Sequence, residues 1–168
     1  HPLSDADREK LRREIEVLKK YGFDYTSYKG KVGQVLNLLH PKRIRLQVSE
    51  IREETKTAKS FRLVSPDGYL PPFQAGQYIN LFVDIGGIRT SRPYSISSPA
   101  NQSGYYEIAV RRVEDGFVSS YLLETVKAGD RFESTAPTGN FYYNPLFHGN
   151  DLVFLAGGSG ITPFMSMI

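Results

Sequence analysis

Six short segments of alternating apolar and polar residues, separated by glycine and proline, constrain this chain more than any other feature. They are Ile44–Val48, Ser60–Val64, Tyr78–Val83, Arg92–Ser97, Tyr105–Arg112 and Arg131–Thr135. Alternation places every second side chain on one face, the signature of strands with one buried surface. The punctuation Ser65-Pro-Asp-Gly68 and Asp84-Ile-Gly-Gly87 reads as tight turns. Many short strands broken in this way describe a closed antiparallel barrel better than a two-sheet sandwich. A single helix is expected over residues 119–126, ended by Lys127-Ala-Gly-Asp130. The barrel is therefore assigned to residues 44–145.

The stretch before it has a different texture. Ser4 is a candidate N-cap, Asp5 and Asp7 follow in the first turn, and Leu11, Ile15 and Leu18 recur at helical spacing before Lys19, Lys20 and Gly22. Phe23, Tyr25 and Tyr28 precede a second apolar cluster, Val35–Leu39, which His40-Pro41 breaks. Residues 1–43 read as a helical or irregular appendage whose role the sequence does not reveal.

Composition narrows the function classes. The 168 residues include no cysteine, which excludes disulfides, thiolate metal sites and cysteine-ligated iron–sulfur clusters within them and favours a cytoplasmic setting. No apolar run approaches the ~20 residues needed to span a bilayer. With 21 basic against 18 acidic residues the net charge is +3. Most of the basic residues lie in mixed-sign stretches such as Arg52-Glu53-Glu54, and aromatics do not interleave with basic residues on one strand face. Nucleic acid is thus not an expected partner. His1, His40 and His148 are scattered, with no clustered carboxylates beside them, so neither an acid–base pair nor a metal site is expected.

Three segments carry the chemistry. In Arg92-Pro93-Tyr94-Ser95, strand geometry sends Arg92 and Tyr94 to one face and Ser95 to the other; a guanidinium chelates phosphate and a tyrosine ring offers a stacking surface. In Gly116-Phe-Val118-Ser119, Ser119 is a candidate N-cap and the glycine lets backbone approach a ligand, with free N–H groups suited to a pyrophosphate. Leu152–Leu155 reads as a buried strand leading into Gly157-Gly158-Ser-Gly160-Ile-Thr162-Pro163, a glycine-rich turn, and then a helix on which proline is tolerated in the first turn. The Gly-Gly-x-Gly spacing is not the Gly-x-Gly-x-x-Gly of the common dinucleotide fingerprint. Residues 146–168 are expected to be the first βα unit of an α/β nucleotide-binding domain, and the chain a fragment that stops inside it.

In this order and on this layout, the three segments resemble the ferredoxin–NADP reductase superfamily, in particular its oxygenase-reductase and electron-transfer-subunit branch. The resemblance runs from about Ile44 to Ile168. It implies a flavin-binding barrel in which Arg92 holds the flavin phosphate, Tyr94 lies against the isoalloxazine ring and Ser95 reaches its N5/O4 edge. It also implies that the strand through Val110 and Arg111 passes along the ribityl and pyrophosphate, and that Gly116–Ser119 is the phosphate turn. Gly157, Gly158, Gly160 and Thr162 would form the nicotinamide nucleotide motif, with Tyr94, Ser95 and Thr162 nearest the reacting atoms. The pairing of Arg-x-Tyr-Ser with a Gly-x-x-Ser turn favours FAD over FMN. NADH or NADPH is the implied electron donor and a protein or domain the implied acceptor; any [2Fe–2S] cluster would lie outside these residues. The implied activity is that of an NAD(P)H-dependent flavoprotein reductase, with a non-catalytic flavin-binding electron-transfer subunit as the alternative.

Overall fold

The structure is a computed structural model and describes residues 4–21, 30–39, 41–144, 146–149 and 151–168. His1, His40, Gly22 and the aromatics Phe23, Tyr25 and Tyr28 lie outside the described residues. The chain divides into two compact units, residues 1–39 and 40–168.

The first unit holds α1 (Asp5–Tyr21) and α2 (Lys31–Leu39). The expected cap is formed: Ser4 Oγ accepts from the Asp7 amide at 3.3 Å and donates to the Asp7 carboxylate at 2.5 Å. Leu11, Ile15 and Leu18 are all exposed, as are Val35, Leu36 and Leu38.

The second unit is built on one six-stranded antiparallel sheet: β1 (Ile44–Thr55), β2 (Ala58–Val64), β3 (Tyr78–Ile85), β4 (Ile88–Ser95), β5 (Tyr106–Arg111) and β6 (Arg131–Ser134), with α3 (Phe117–Glu124) between the last two strands. Its spatial order is β4-β3-β6-β1-β2-β5. The sheet curls until its two edge strands meet, and the bridge between Ile96 and Ile108 joins them. That is the expected barrel, closed at one point. Inward positions are filled by Leu46, Ile79, Ile96 and Val110, each fully buried, with Phe61, Leu63, Leu81 and Ile108 beside them. On one side of the barrel α3 adds Val118, Leu122 and Leu123 to the core.

The turns follow from residue type. β3 and β4 are joined by Gly86-Gly87 with φ of 60° and 84°, the left-handed pair that matches the twist of a two-residue hairpin. Ser65-Pro-Asp-Gly68 closes with the Gly68 amide on the Ser65 carbonyl at 3.2 Å. β1 is longer than the segment Ile44–Val48, because an irregularity between Val48 and Glu50 lets it bend and continue to Thr55. Its second half is charged and outward-facing, so no apolar alternation marks it; cross-strand pairs hold it instead, including Arg62–Glu50 at 2.7 Å and Arg52–Glu107 at 2.9 Å.

Two expectations are corrected. The barrel helix runs from Phe117 to Glu124, not 119–126, and its N-cap residue is Gly116, not Ser119. Leu152–Leu155 forms no strand: a strand needs a ladder partner, and no described segment pairs with it. Val153 and Leu155 are 88% and 89% exposed, the opposite of a segment covered on both faces. Beyond it, a 3-10 turn over Gly158–Ile161 leads into the short helix α4 (Thr162–Met165), with Pro163 in its first turn as expected.

Candidate functional site

The barrel closes at one bridge, and beyond it the two edge strands β4 and β5 leave an open seam. In the antiparallel register set by Ile96 and Ile108, Tyr94 comes opposite Val110 and Arg92 opposite Arg112, but no ladder bonds join them. Hydrogen bonds alternate along a strand, so the partners already used show which groups face the gap. The Ile96 amide bonds Gln77 on the β3 side, whereas the Ser97 amide bonds the Glu107 carbonyl across the seam at 2.7 Å. The Arg112 amide bonds Thr57, on the β2 side. Arg111 therefore directs its backbone polar groups into the open seam, while Ser95 and Ala109 flank the bridge itself. Pro93 shares that orientation, and a residue without an N–H suits an unpaired edge.

Side chains add charge to this gap. Arg92 is exposed and its guanidinium donates to the Ser91 carbonyl at 2.8 Å and to Thr90 Oγ1 at 3.1 Å. No carboxylate pairs with it, nor with Arg111, among the described residues, although nine ion pairs engage other side chains. Tyr94 packs its ring on the barrel core. Burial pushes its hydroxyl up to about 12, opposed by the nearby Arg92 charge, so the ring is a neutral phenol at physiological pH.

Beyond the end of β5, the chain turns through Val113–Gly116 into α3. Here Ser119 acts differently from an N-cap: its Oγ donates to the Gly116 carbonyl and accepts from the Val113 amide, each at 3.2 Å, which locks the turn from inside. Its hydroxyl is thus engaged, and the start of α3 has no side-chain cap. The first-turn N–H groups of α3 are the donors this region can offer an anion. The far end of the helix is held by Lys59, whose ammonium donates to the Leu123 carbonyl at 3.0 Å, and by Arg112 on Glu124 at 2.5 Å. Gly116 is sterically required. A Cβ there would overlap Ser119 Oγ and lie 2.9 Å from the Val113 carbonyl oxygen. Gly116→Ala is expected to destabilise the protein by about 1–2 kcal/mol through a displaced turn. A thermal melt beside that of the parent protein, with ligand retention after gel filtration, measures it.

The glycine-rich turn meets this region at one point: Arg111 Nη1 lies 3.7 Å from where a Cβ on Gly158 would stand. Gly158 takes a φ of 58°, and Thr162 Oγ1 is spent within the turn, donating to the Ser159 carbonyl at 2.9 Å. The following residues anchor on the turn before β3. Ser166 Oγ, buried, accepts the Gly76 amide at 2.8 Å, and Phe164 packs against Phe141 and Phe154. Gly76 lies two residues before β3, whose first residue Tyr78 is in register with Ser95. The structure thus brings Arg111 beside Gly158, and Gly116 beside Ser119. No hydrogen bond links Arg92–Ser95 to Gly157–Thr162 among the described residues. Gly76 was not singled out from sequence; the signal was the Ala75-Gly76-Gln77 turn just before a strand, which is too common a pattern to mark a docking point.

An open cleft of about 1020 Å³ lies elsewhere, lined by Arg43, Phe82, Thr90, Ser91, Tyr121 and Arg131 among others. It reaches β4 at Arg89, Thr90 and Ser91, the last two being the hydrogen-bond partners of Arg92. Among the described residues no group of three or more His, Asp or Glu side chains is placed to hold a metal ion.

A curled antiparallel sheet with one capping helix is the fold of a flavin-binding barrel. The family comparison agrees: residues 41–143 match the oxidoreductase FAD-binding domain, and the chain belongs to that family. It is 39% identical over 123 residues to a flavohemoprotein of Rhodopirellula baltica, covering 68% of this chain and 30% of that protein. With the reductase component of phenol 2-monooxygenase from Pseudomonas sp. it shares 40% identity over 97 residues, 58% of this chain and 27% of the relative. Among solved structures, phthalate dioxygenase reductase superposes with a TM-score of 0.66 at 31% identity, over 74% of this chain and 38% of that one. The chain spans less than a third of the length of these two curated relatives.

Proposed function

We propose that the chain is the flavin-binding module of an NAD(P)H-dependent oxidoreductase, which takes electrons from a nicotinamide nucleotide and passes them through FAD to a protein or iron–sulfur acceptor. The observation that carries this reading is the open seam, where backbone donors and acceptors of β4 and β5, two guanidiniums without carboxylate partners and the uncapped start of α3 lie along one gap. The residues fit a flavin dinucleotide. Arg92 and the α3 amides would neutralise its phosphates, Tyr94 would cover one face of the ring, and the Ser95 amide and hydroxyl would reach its polar edge. Val110 and Arg111 would line the connecting chain, and Gly116 and Val118 would allow backbone to approach the pyrophosphate. Gly157, Gly158, Gly160 and Thr162 would receive the nicotinamide nucleotide, beside Arg111. The flavin, when bound, supplies the conversion of a two-electron hydride donor into single-electron steps. The protein's share is placement and exclusion of water, so no acid–base residue is required.

Support for the reductase reading comes from relatives that are reductase components of oxygenases, phenol 2-monooxygenase and carnitine monooxygenase among them. Relatives named flavohemoproteins carry the same barrel, so the acceptor is a property of the rest of each protein. The decisive experiment is titration of the chain with FAD and FMN, followed by anaerobic addition of NADH or NADPH to the parent protein. Tighter binding of FAD and nicotinamide-driven bleaching of its visible band are expected. Failure to bind either flavin removes the proposal; binding without bleaching leaves the non-catalytic electron-transfer subunit in its place.

A further inference from the structure

Helix α1 is exposed along its described length and carries one apolar stripe. Leu11, Ile15 and Leu18 stand 49%, 42% and 47% exposed along one stripe of a 17-residue helix. Their spacing of four and three places Leu11 and Leu18 at d and Ile15 at a of a heptad, the combination that favours two parallel strands. The flanking charges follow the same frame. Asp7 and Glu14 occupy g, while Arg12 and Lys19 occupy e. Arg12, Glu14 and Lys19 have no ion-pair partner among the described residues, whereas the pair that does form on the helix, Arg13–Glu9 at 3.7 Å, uses the outer f and b positions. In a parallel in-register pair each g residue faces the e residue five positions on in the other helix, which sets Asp7 against Arg12 and Glu14 against Lys19. An antiparallel pair would set acid against acid and base against base.

We propose that α1 associates with α1 of a second copy of this chain as a short parallel coiled coil, so that the flavin modules are joined at their N-terminal ends. The seam holds only three apolar layers, and the a position before them is Arg8, set against its own copy across the parallel pair, which makes the dimer weak and concentration-dependent.

The test exploits the absence of cysteine. Leu18→Cys gives the full chain a single thiol at a seam position, and Val17→Cys gives one on the outer face. Under a mild thiol–disulfide couple, Leu18→Cys should form covalent dimers at several times the rate of Val17→Cys. In light scattering across a concentration series, Glu14→Lys should weaken dimerisation about tenfold by replacing two attractive pairs with repulsive ones, and Glu14→Lys with Lys19→Glu should restore it. Equal cross-linking of the two thiols, a monomer at every concentration, or a double charge reversal that fails to restore association would each overturn the proposal. Flavin retention, followed in the same samples, should be unchanged in all variants.

Discussion

Replacing Arg92 with alanine is expected to weaken flavin binding about thirtyfold or more, equivalent to roughly 2 kcal/mol. The guanidinium now has only neutral partners, Thr90 Oγ1 and the Ser91 carbonyl. An anionic phosphate would exchange these for charge-assisted bonds in a fork geometry that lysine does not reproduce, so Arg92→Lys should recover only part of the loss. Because Arg92 is exposed and carries no ion pair, its removal should leave the melting temperature of the ligand-free protein nearly unchanged. Fluorescence titration of FAD with the three proteins measures the effect; equal affinities would show that the phosphate is held elsewhere along the seam.

The second large effect is expected at Gly76. Its φ of 101° lies where side chains are strained, and a Cβ there would overlap the Met167 side chain and the Phe141 carbonyl, with the Tyr142 Cα at 3.2 Å. The amide of the same residue holds Ser166 in a buried bond. Gly76→Val should therefore cost about 3 kcal/mol or more, by strain at the backbone and by displacing the α4 segment from the barrel. Two measurements separate these consequences. Chemical denaturation reports the loss of stability, and limited proteolysis should show cleavage between Asn144 and Gly157 appearing before the barrel opens. A variant as stable and as resistant as the parent would show that α4 is not anchored there.

The two predictions also mark where sequence and structure part company. Strand alternation located four of the six strands to within two residues and the first half of β1, because one face of each is buried and the period of two is then visible in Ile44–Val48 or Tyr78–Val83. The second half of β1 escaped this test: its outward face is made of ion pairs, and charge does not alternate with burial there. Arg92–Ser95 was visible as a motif, but the beginning of β4 at Ile88 was not, since that hairpin arm has no fully buried residue to mark one face: Ile88 and Arg89 are exposed and Thr90 and Ser91 half-buried. Ser119 illustrates a different limit. A serine three residues after a glycine reads as a cap, yet its hydroxyl points back to fasten Val113 and Gly116, a choice made by packing. Leu152–Leu155 shows the converse: apolar composition expresses what a segment would favour in a sheet, while a strand exists only where a neighbour supplies the other half of its ladder.

The single bridge that closes the barrel has a thermodynamic consequence. A cylinder fastened at Ile96 and Ile108 alone leaves two strand edges free to part below that point, and a dinucleotide lying between them would act as the missing staple. Folding and ligand binding then draw on one free energy. At a hundred times its dissociation constant, the cofactor would add about 2.7 kcal/mol to the barrel, a large share of the stability of a domain this size.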